Sequence, residues 1–204
     1  MKTSLWVLLG GISVVVCGCG VPRQPAPAPK WYVLNTELNT PAEAPTLPGC
    51  LRMRNVTVQS PFSGISLIYR TGDVTYEKDY YNQFLVAPHQ SLNDLLALWL
   101  RSTGAVLCVD GSDTGPKRLT LEPHLEALYA DFRTPETPKA VVRLRFVLTQ
   151  YDRSCRCSSI VLDKTVESAI PLPPKPTPEA VVEAMSDAVK ESVEAFDAAL
   201  RAAF

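Results

Sequence analysis

The first nineteen residues decide what the remainder can become. Lys2 gives a positive start, residues 5–16 form a short apolar run, and Val16-Cys17-Gly18-Cys19 follows. Crossing a bilayer's hydrocarbon core takes about 20 apolar residues, so this run is too short to be a span. It reads as an export leader. The folded part then begins beyond it, in a compartment where thiols oxidise.

The end of the leader resembles a bacterial lipobox, with aliphatic Val16 at −3 and small Gly18 at −1 before Cys19. Cys17 at −2 departs from the usual Ala, Ser, Thr or Val, and is itself a poor acceptor behind bulky Val16. Cleavage after Gly18 would leave residues 1–18 as signal peptide and Cys19 as the lipid attachment site. Each buried methylene contributes about 0.8 kcal/mol, so two or more acyl chains hold a protein durably on a membrane. Gly20 follows where Asp would resemble an inner-membrane retention signal, which points to the outer membrane. The alternative is a cleaved secretory leader with incidental cysteines.

Residues 19–30 are the lipidated N-terminus and a proline-alternating tether. As polyproline II it would extend about 3.1 Å per residue, or roughly 30 Å over ten residues. Residues 31–204 are the folded domain, long enough for a real core. The chain holds 20 basic and 21 acidic residues, and losing Lys2 with the leader brings the mature balance to −2. No basic patch stands out, which argues against nucleic acid as a partner.

Cys50, Cys108, Cys155 and Cys157 remain as disulfide candidates, and four cysteines allow three connectivities. Cys50 and Cys108 lie at the start of or inside apolar strands, so they suit each other. Cys155 and Cys157 flank Arg156 in a turn, where local pairing closes a strained small ring. Zinc would be the sharper reading of Cys-Arg-Cys, but there is no second ligand pair, and His89 and His124 lack ligand spacing. No metal or cofactor is expected.

Strands are expected at residues 31–34, at 51–58 with one slip of phase, at 65–70 returning through a turn at 71–73 into 74–78, and at 105–109 as a wholly apolar central strand. Residues 118–132 read as a long strand interrupted at Pro123, with Leu119 and Leu121 before it and Leu125, Ala127 and Tyr129 after it; the proline argues for an edge or a bulge. Residues 141–151 put Val142, Leu144, Phe146 and Leu148 on one face and Arg143 and Arg145 on the other, with 160–170 as the hairpin partner. One helix is expected behind Ser91 as N-cap and Asp94 as a capping-box partner, with Leu92, Leu95, Leu96, Trp99 and Leu100 on one face and Gly104 as its stop. Another starts at Thr177-Pro178, with Val181, Val182, Met185, Val189, Val193, Phe196 and Leu200 as its stripe. Its polar face is net acidic, so it fits a sheet better than a membrane surface. The order implies an α/β fold, a mixed β-sheet covered by two main helices.

No catalytic constellation rises above chance. There is no Gly-rich phosphate loop, Ser63-Gly64-Ile65-Ser66 is no nucleophile elbow, and scattered carboxylates single out no glycosidase pair. The chain is not expected to be an enzyme. Asp79 before Tyr80 and Tyr81 could mark a carbohydrate site, but reads better as a packing cluster around one capped hydrogen bond.

Pro61-Phe62-Ser63-Gly64, Leu67-Ile68-Tyr69-Arg70, residues 76–85 (YEKDYYNQFL), Pro88, and Trp99-Leu100 with Gly104 together resemble the ABC-type transport auxiliary lipoproteins, the PqiC-like family. The likeness spans residues 31–204. Many members carry a proline-tyrosine-leucine-aspartate stretch after the second strand, and here Pro61-Phe62-Ser63-Gly64 replaces it. The resemblance implies a fold like the N-terminal domain of TolB. It also implies a lipoprotein anchored in the outer membrane, facing the periplasm, serving an MCE-domain protein and an ABC permease and ATPase in lipid transport. A homo-oligomeric ring is one arrangement for the docked form. Phe62, Tyr69, Arg70, Asp79, Tyr80, Tyr81, Phe84 and Trp99 become scaffold or docking residues, mostly through core packing. The competing reading is a stand-alone envelope-structural or glycan-binding lipoprotein that uses the aromatic cluster.

Overall fold

The clearest alternation in the sequence builds the centre of the sheet. The computed structural model describes residues 28–34, 38, 47, 50–103 and 117–204. Strand β7 (Lys139–Asp152) buries Val142, Leu144, Phe146 and Leu148 on one face. It lies between β6 (Lys117–Asp131) and β8 (Cys157–Pro171), antiparallel to both. On its other face Arg143 pairs with Glu167 and Arg145 with Asp163 across to β8. These exposed pairs set the register more than they stabilise it.

The other edge of β6 carries three short parallel strands in succession. β2 (Cys50–Met53) pairs with residues 118–121, β3 (Thr57–Val58) with 124–125, and β4 (Ser66–Arg70) with 130–131. β5 (Tyr76–Phe84) returns antiparallel to β4, and β1 (Lys30–Tyr32) adds parallel to β5. The result is a mixed eight-stranded sheet among the described residues, with two helices, in an α/β fold.

Both helices pack on one face. α2 (Pro178–Ala203) buries its expected stripe, and Phe196 stacks on Phe146 with ring centroids 4.2 Å apart. Trp99 of α1 (Pro88–Ser102) meets the same Phe196 at 6.0 Å, so one aromatic joins both helices to β7. Leu67, Phe84, Leu92, Leu96 and Leu100 complete this core. A smaller cluster of Phe62, Ile68, Ala127, Tyr129 and Val141 lies apart from it, capped by the 3-10 turn Ser60–Phe62.

Several expectations shift. The 51–58 slip is a break between β2 and β3. Pro123 does not interrupt β6. Leu121 and Leu125 accept backbone bonds from Arg54 and Gln59, so alternate residues of β6 face β2 and β3. Pro123 therefore directs its missing N–H into the gap between those strands, where none is needed. The irregularity falls at Leu125–Ala127 instead. It reverses the phase, so Leu128 and Ala130 join the main core while Ala127 and Tyr129 turn to the smaller cluster. They do not share a face with Leu119 and Leu121, as a bulge predicts.

α1 begins earlier than expected. Its N-cap is Ala87, and Pro88 occupies N1, where its fixed φ suits the helix and its absent N–H is no loss. Ser91 falls inside the first turn, its N–H bonded to the Ala87 carbonyl. Gly104, the strand expected at 105–109 and Cys108 lie outside the described residues, as do the leader and Cys19. Thr177 caps α2 as expected, accepting from the Ala180 N–H at 3.2 Å. Thr177→Ala is expected to lower stability by about 1 kcal/mol, read as a shift in the urea unfolding midpoint; an unchanged midpoint would show that the cap contributes nothing.

Candidate functional site

Residues 79–84 of the dense stretch extend β5, which carries a larger irregularity than any other described strand. Ser66 pairs with Gln83, yet Ile68, two residues on, pairs with Lys78, so β5 holds extra residues between 78 and 83. Asp79 staples that excess. Its Oδ1 accepts the backbone N–H groups of Tyr81 at 2.9 Å and Asn82 at 3.0 Å. Its Oδ2 accepts the Asn82 amide at 2.8 Å and the Tyr69 hydroxyl at 3.0 Å. Burial pushes this carboxyl up, but those four hydrogen bonds outweigh it and hold Asp79 below the usual carboxylate range. Burial first, and donation to Asp79 second, push Tyr69 far above an ordinary phenol.

The network continues into elements remote in sequence. The Tyr32 hydroxyl of β1 lies 3.1 Å from both Asn82 Oδ1 and Glu179 Oε1 in the first turn of α2, the two acceptors sharing its one proton. Lys30 pairs with the same Glu179 at 3.0 Å. The Glu179 backbone N–H, then Lys30 and Tyr32, bring the Glu179 carboxyl down to about 2. The site thus ties the first described strand, the β5 bulge and the last helix together.

The depressed Glu179 sets a pH response. A carboxylate held below its unfolded value contributes stability that is complete above that value and lost as pH falls through the folded one. For Glu179 that window runs from 4.5 down to about 2. Titration of the Tyr32 ring resonances is expected to show a midpoint near the lower figure, moved upward by Lys30→Ala. A midpoint unmoved by that substitution would show the tie does not form.

Around this polar frame the bulge displays apolar side chains. Tyr80 is 76% exposed and Tyr81 47%, while Trp31 of β1, 51% exposed, sits in register with Gln83. Leu85 and Val86, just beyond β5, are exposed as well. Tyr69 also walls a groove of about 480 Å³ with Phe132, Pro135, Pro176, Pro178 and Val181. Its ring meets Phe132 edge-on at 5.6 Å.

The residues expected from sequence therefore divide. Tyr69, Asp79, Tyr80 and Tyr81 gather at the bulge. Phe84 and Trp99 are core residues. Phe62 and Arg70 belong with the smaller cluster. Phe62 lies near-parallel to Tyr129 at 6.1 Å, and the Arg70 guanidinium sits over the rings of Tyr76 and Tyr129 while bonding the carbonyls of Gly72 and Asp73. Sequence reading missed Lys30, Tyr32, Asn82 and Glu179. An acid in the first turn behind Thr177-Pro178 was the available signal for Glu179, but nothing in the chain pointed to its partners.

Cys155 and Cys157 are bonded to each other, Cα atoms 5.2 Å apart, the local pairing among the alternatives. Cys50 is also disulfide-bonded, to neither of them. No group of three His, Cys, Asp or Glu that could hold a metal occurs among the described residues, and no described helix is long and apolar enough to cross a membrane.

No family model and no curated protein matches the sequence. Solved structures do share its shape. A DUF330 protein from Xanthomonas campestris superposes with a TM-score of 0.67 at 14% identity, covering 84% of this chain and 95% of that one. An uncharacterized protein superposes at 0.59 with 15% identity, covering 84% of this chain and 99% of its own. At such identities the likeness speaks for the fold. The chain shares its architecture with a DUF330 family protein over nearly that protein's whole length.

Proposed function

We propose that this chain is a lipid-anchored, non-catalytic docking subunit of an ABC- and MCE-type lipid transport system, held at the outer membrane and facing the periplasm. DUF330 is the PqiC-like family that the sequence motifs resemble, and the shared fold supports extending the resemblance to function. The observation that carries the reading is the aromatic edge built by β1 and β5. Trp31, Tyr80 and Tyr81 are exposed there on a frame fixed by Asp79. Large rigid aromatics make good contact anchors because they order few torsions on binding. That edge opens the folded domain immediately after the tether, so lipid at Cys19 would present it to partners within the tether's reach.

Two measurements test the proposal. Cys19→Ser is expected to move the protein from the membrane to the soluble fraction. Trp31→Ala with Tyr80→Ala is expected to abolish co-purification of the MCE protein and ABC components while leaving the membrane fraction unchanged. Wild-type protein that brings down none of those components would overturn the transport role. Glycan binding by the wild type, lost in Tyr80→Ala, would favour a glycan-binding envelope lipoprotein instead.

A further inference from the structure

The Cys155–Cys157 disulfide stands at the tip of the β7–β8 hairpin, apart from the bulge and its network. A disulfide that stabilises a fold does so largely by closing a long loop in the unfolded chain. This one spans a single residue. The turn around it is already held by pairing from Asp152 opposite Cys157 down to Lys139 opposite Pro171. It adds almost nothing to the chain's constraint, so its role lies in its chemistry.

Three observations describe that chemistry. Residues 153–160 are all exposed, so both sulfurs sit where another molecule can reach them. Arg156, between them, has φ of 54°, a left-handed conformation disfavoured for any side chain with a Cβ, and no other non-glycine described residue adopts positive φ. The turn and the disulfide both restrain Arg156, and opening the bond removes one of the two restraints, which favours the dithiol. Finally, residues 153–157 at the hairpin tip carry two arginines and no carboxylate, a local positive charge that favours a thiolate over a thiol. The neighbouring carboxylate, Asp152, accepts the Ser154 N–H at 2.8 Å and its hydroxyl at 2.5 Å, and also takes a bond from the Cys155 backbone N–H.

We propose that Cys155 and Cys157 form a thiol–disulfide exchange site whose substrates are dithiols of other proteins. A substrate thiolate attacks one sulfur of the pair. A mixed disulfide forms, the Cys155–Cys157 bond breaks, and its electron pair leaves on the second cysteine as a thiolate at the arginine-bearing tip. The other substrate thiol, deprotonated, then attacks the mixed disulfide. The substrate departs oxidised, and the hairpin keeps two electrons and two protons as a dithiol. A small disulfide such as oxidised glutathione restores the pair by the reverse exchange.

The test uses the purified full chain in glutathione buffers of graded ratio, with alkylation followed by mass analysis of the peptides carrying residues 155 and 157. The pair is expected to open and close reversibly while Cys50 stays unalkylated. Wild-type protein should oxidise a reduced dithiol peptide at least ~10-fold faster than the Cys155→Ser, Cys157→Ser double variant. Arg156→Gly, which accepts left-handed backbone freely, should shift the equilibrium about tenfold toward the disulfide, and Arg156→Lys should not. A pair that stays closed across the whole glutathione range, or equal peptide oxidation by both proteins, would overturn the proposal. So would a fall of about 5 °C or more in the double variant's unfolding temperature, the mark of a structural staple.

Discussion

Phe146→Ala lowers the unfolding free energy by about 3–5 kcal/mol, the range for removing a fully buried aromatic side chain. Phe146 has no exposed surface, and its ring stacks on Phe196 at 4.2 Å with the planes 15° apart. Phe196 in turn contacts Trp99 of α1. The truncation therefore opens a void at the point where the sheet and both helices meet, with backbone on the sheet side that cannot collapse into it. Phe146→Leu keeps part of the volume and loses less. Urea unfolding of the two variants measures the difference. A loss under about 1.5 kcal/mol for the alanine variant would mean that the ring stack is not the centre of the fold.

Asp79→Ala is the second large effect, expected at about 2–4 kcal/mol. The carboxylate satisfies two backbone N–H groups, one side-chain amide and one half-buried hydroxyl. Removing it strands several donors at once, and each donor left without a partner costs more than a surface bond returns. Asp79→Asn retains acceptor oxygen but not charge, so it is expected to fall between. Hydrogen exchange at the Tyr81 and Asn82 amides distinguishes this from a general loss of stability, because those two should exchange faster well before the core strands do. Amides protected equally in wild type and Asp79→Ala would show that the bulge is held by something else.

Where a sequence period was long and unbroken, the fold could be read directly. The β7 alternation and the α2 stripe both carry through to the observed core. Reading failed where the period was interrupted. In β6, the irregularity at Leu125–Ala127 reverses which residues face the helices, and a pattern of Leu, Leu, Leu, Ala, Tyr at alternate positions hides that reversal. In β5 the extra residues erase alternation altogether, so the expected strand stopped at residue 78 although the observed one runs to Phe84. The start of α1 was misplaced because Ser91 and Asp94 imitate a cap, while Pro88 at N1 needs none.

The candidate site was legible in part for the same reason. Asp79 and its neighbouring tyrosines stood out by type and proximity, and the reading of one capped hydrogen bond understated four. Tyr32, Lys30 and Glu179 reach it through pairings separated by much of the chain's length, which local spacing does not reveal.

The succession of β2, β3 and β4 along one side of β6 has a kinetic consequence. Strands β6, β7 and β8 and helix α2 are neighbours in sequence and meet through short connections, whereas Leu51 must find Leu119 and Tyr69 must find Ala130 in parallel pairs. Closing long loops is entropically slow, so the segment from β6 onward is expected to acquire structure first and recruit the first half afterwards. Pulse labelling during refolding should protect amides of residues 141–148 ahead of those in 51–58. Simultaneous protection would mean that the two halves cross a single barrier together.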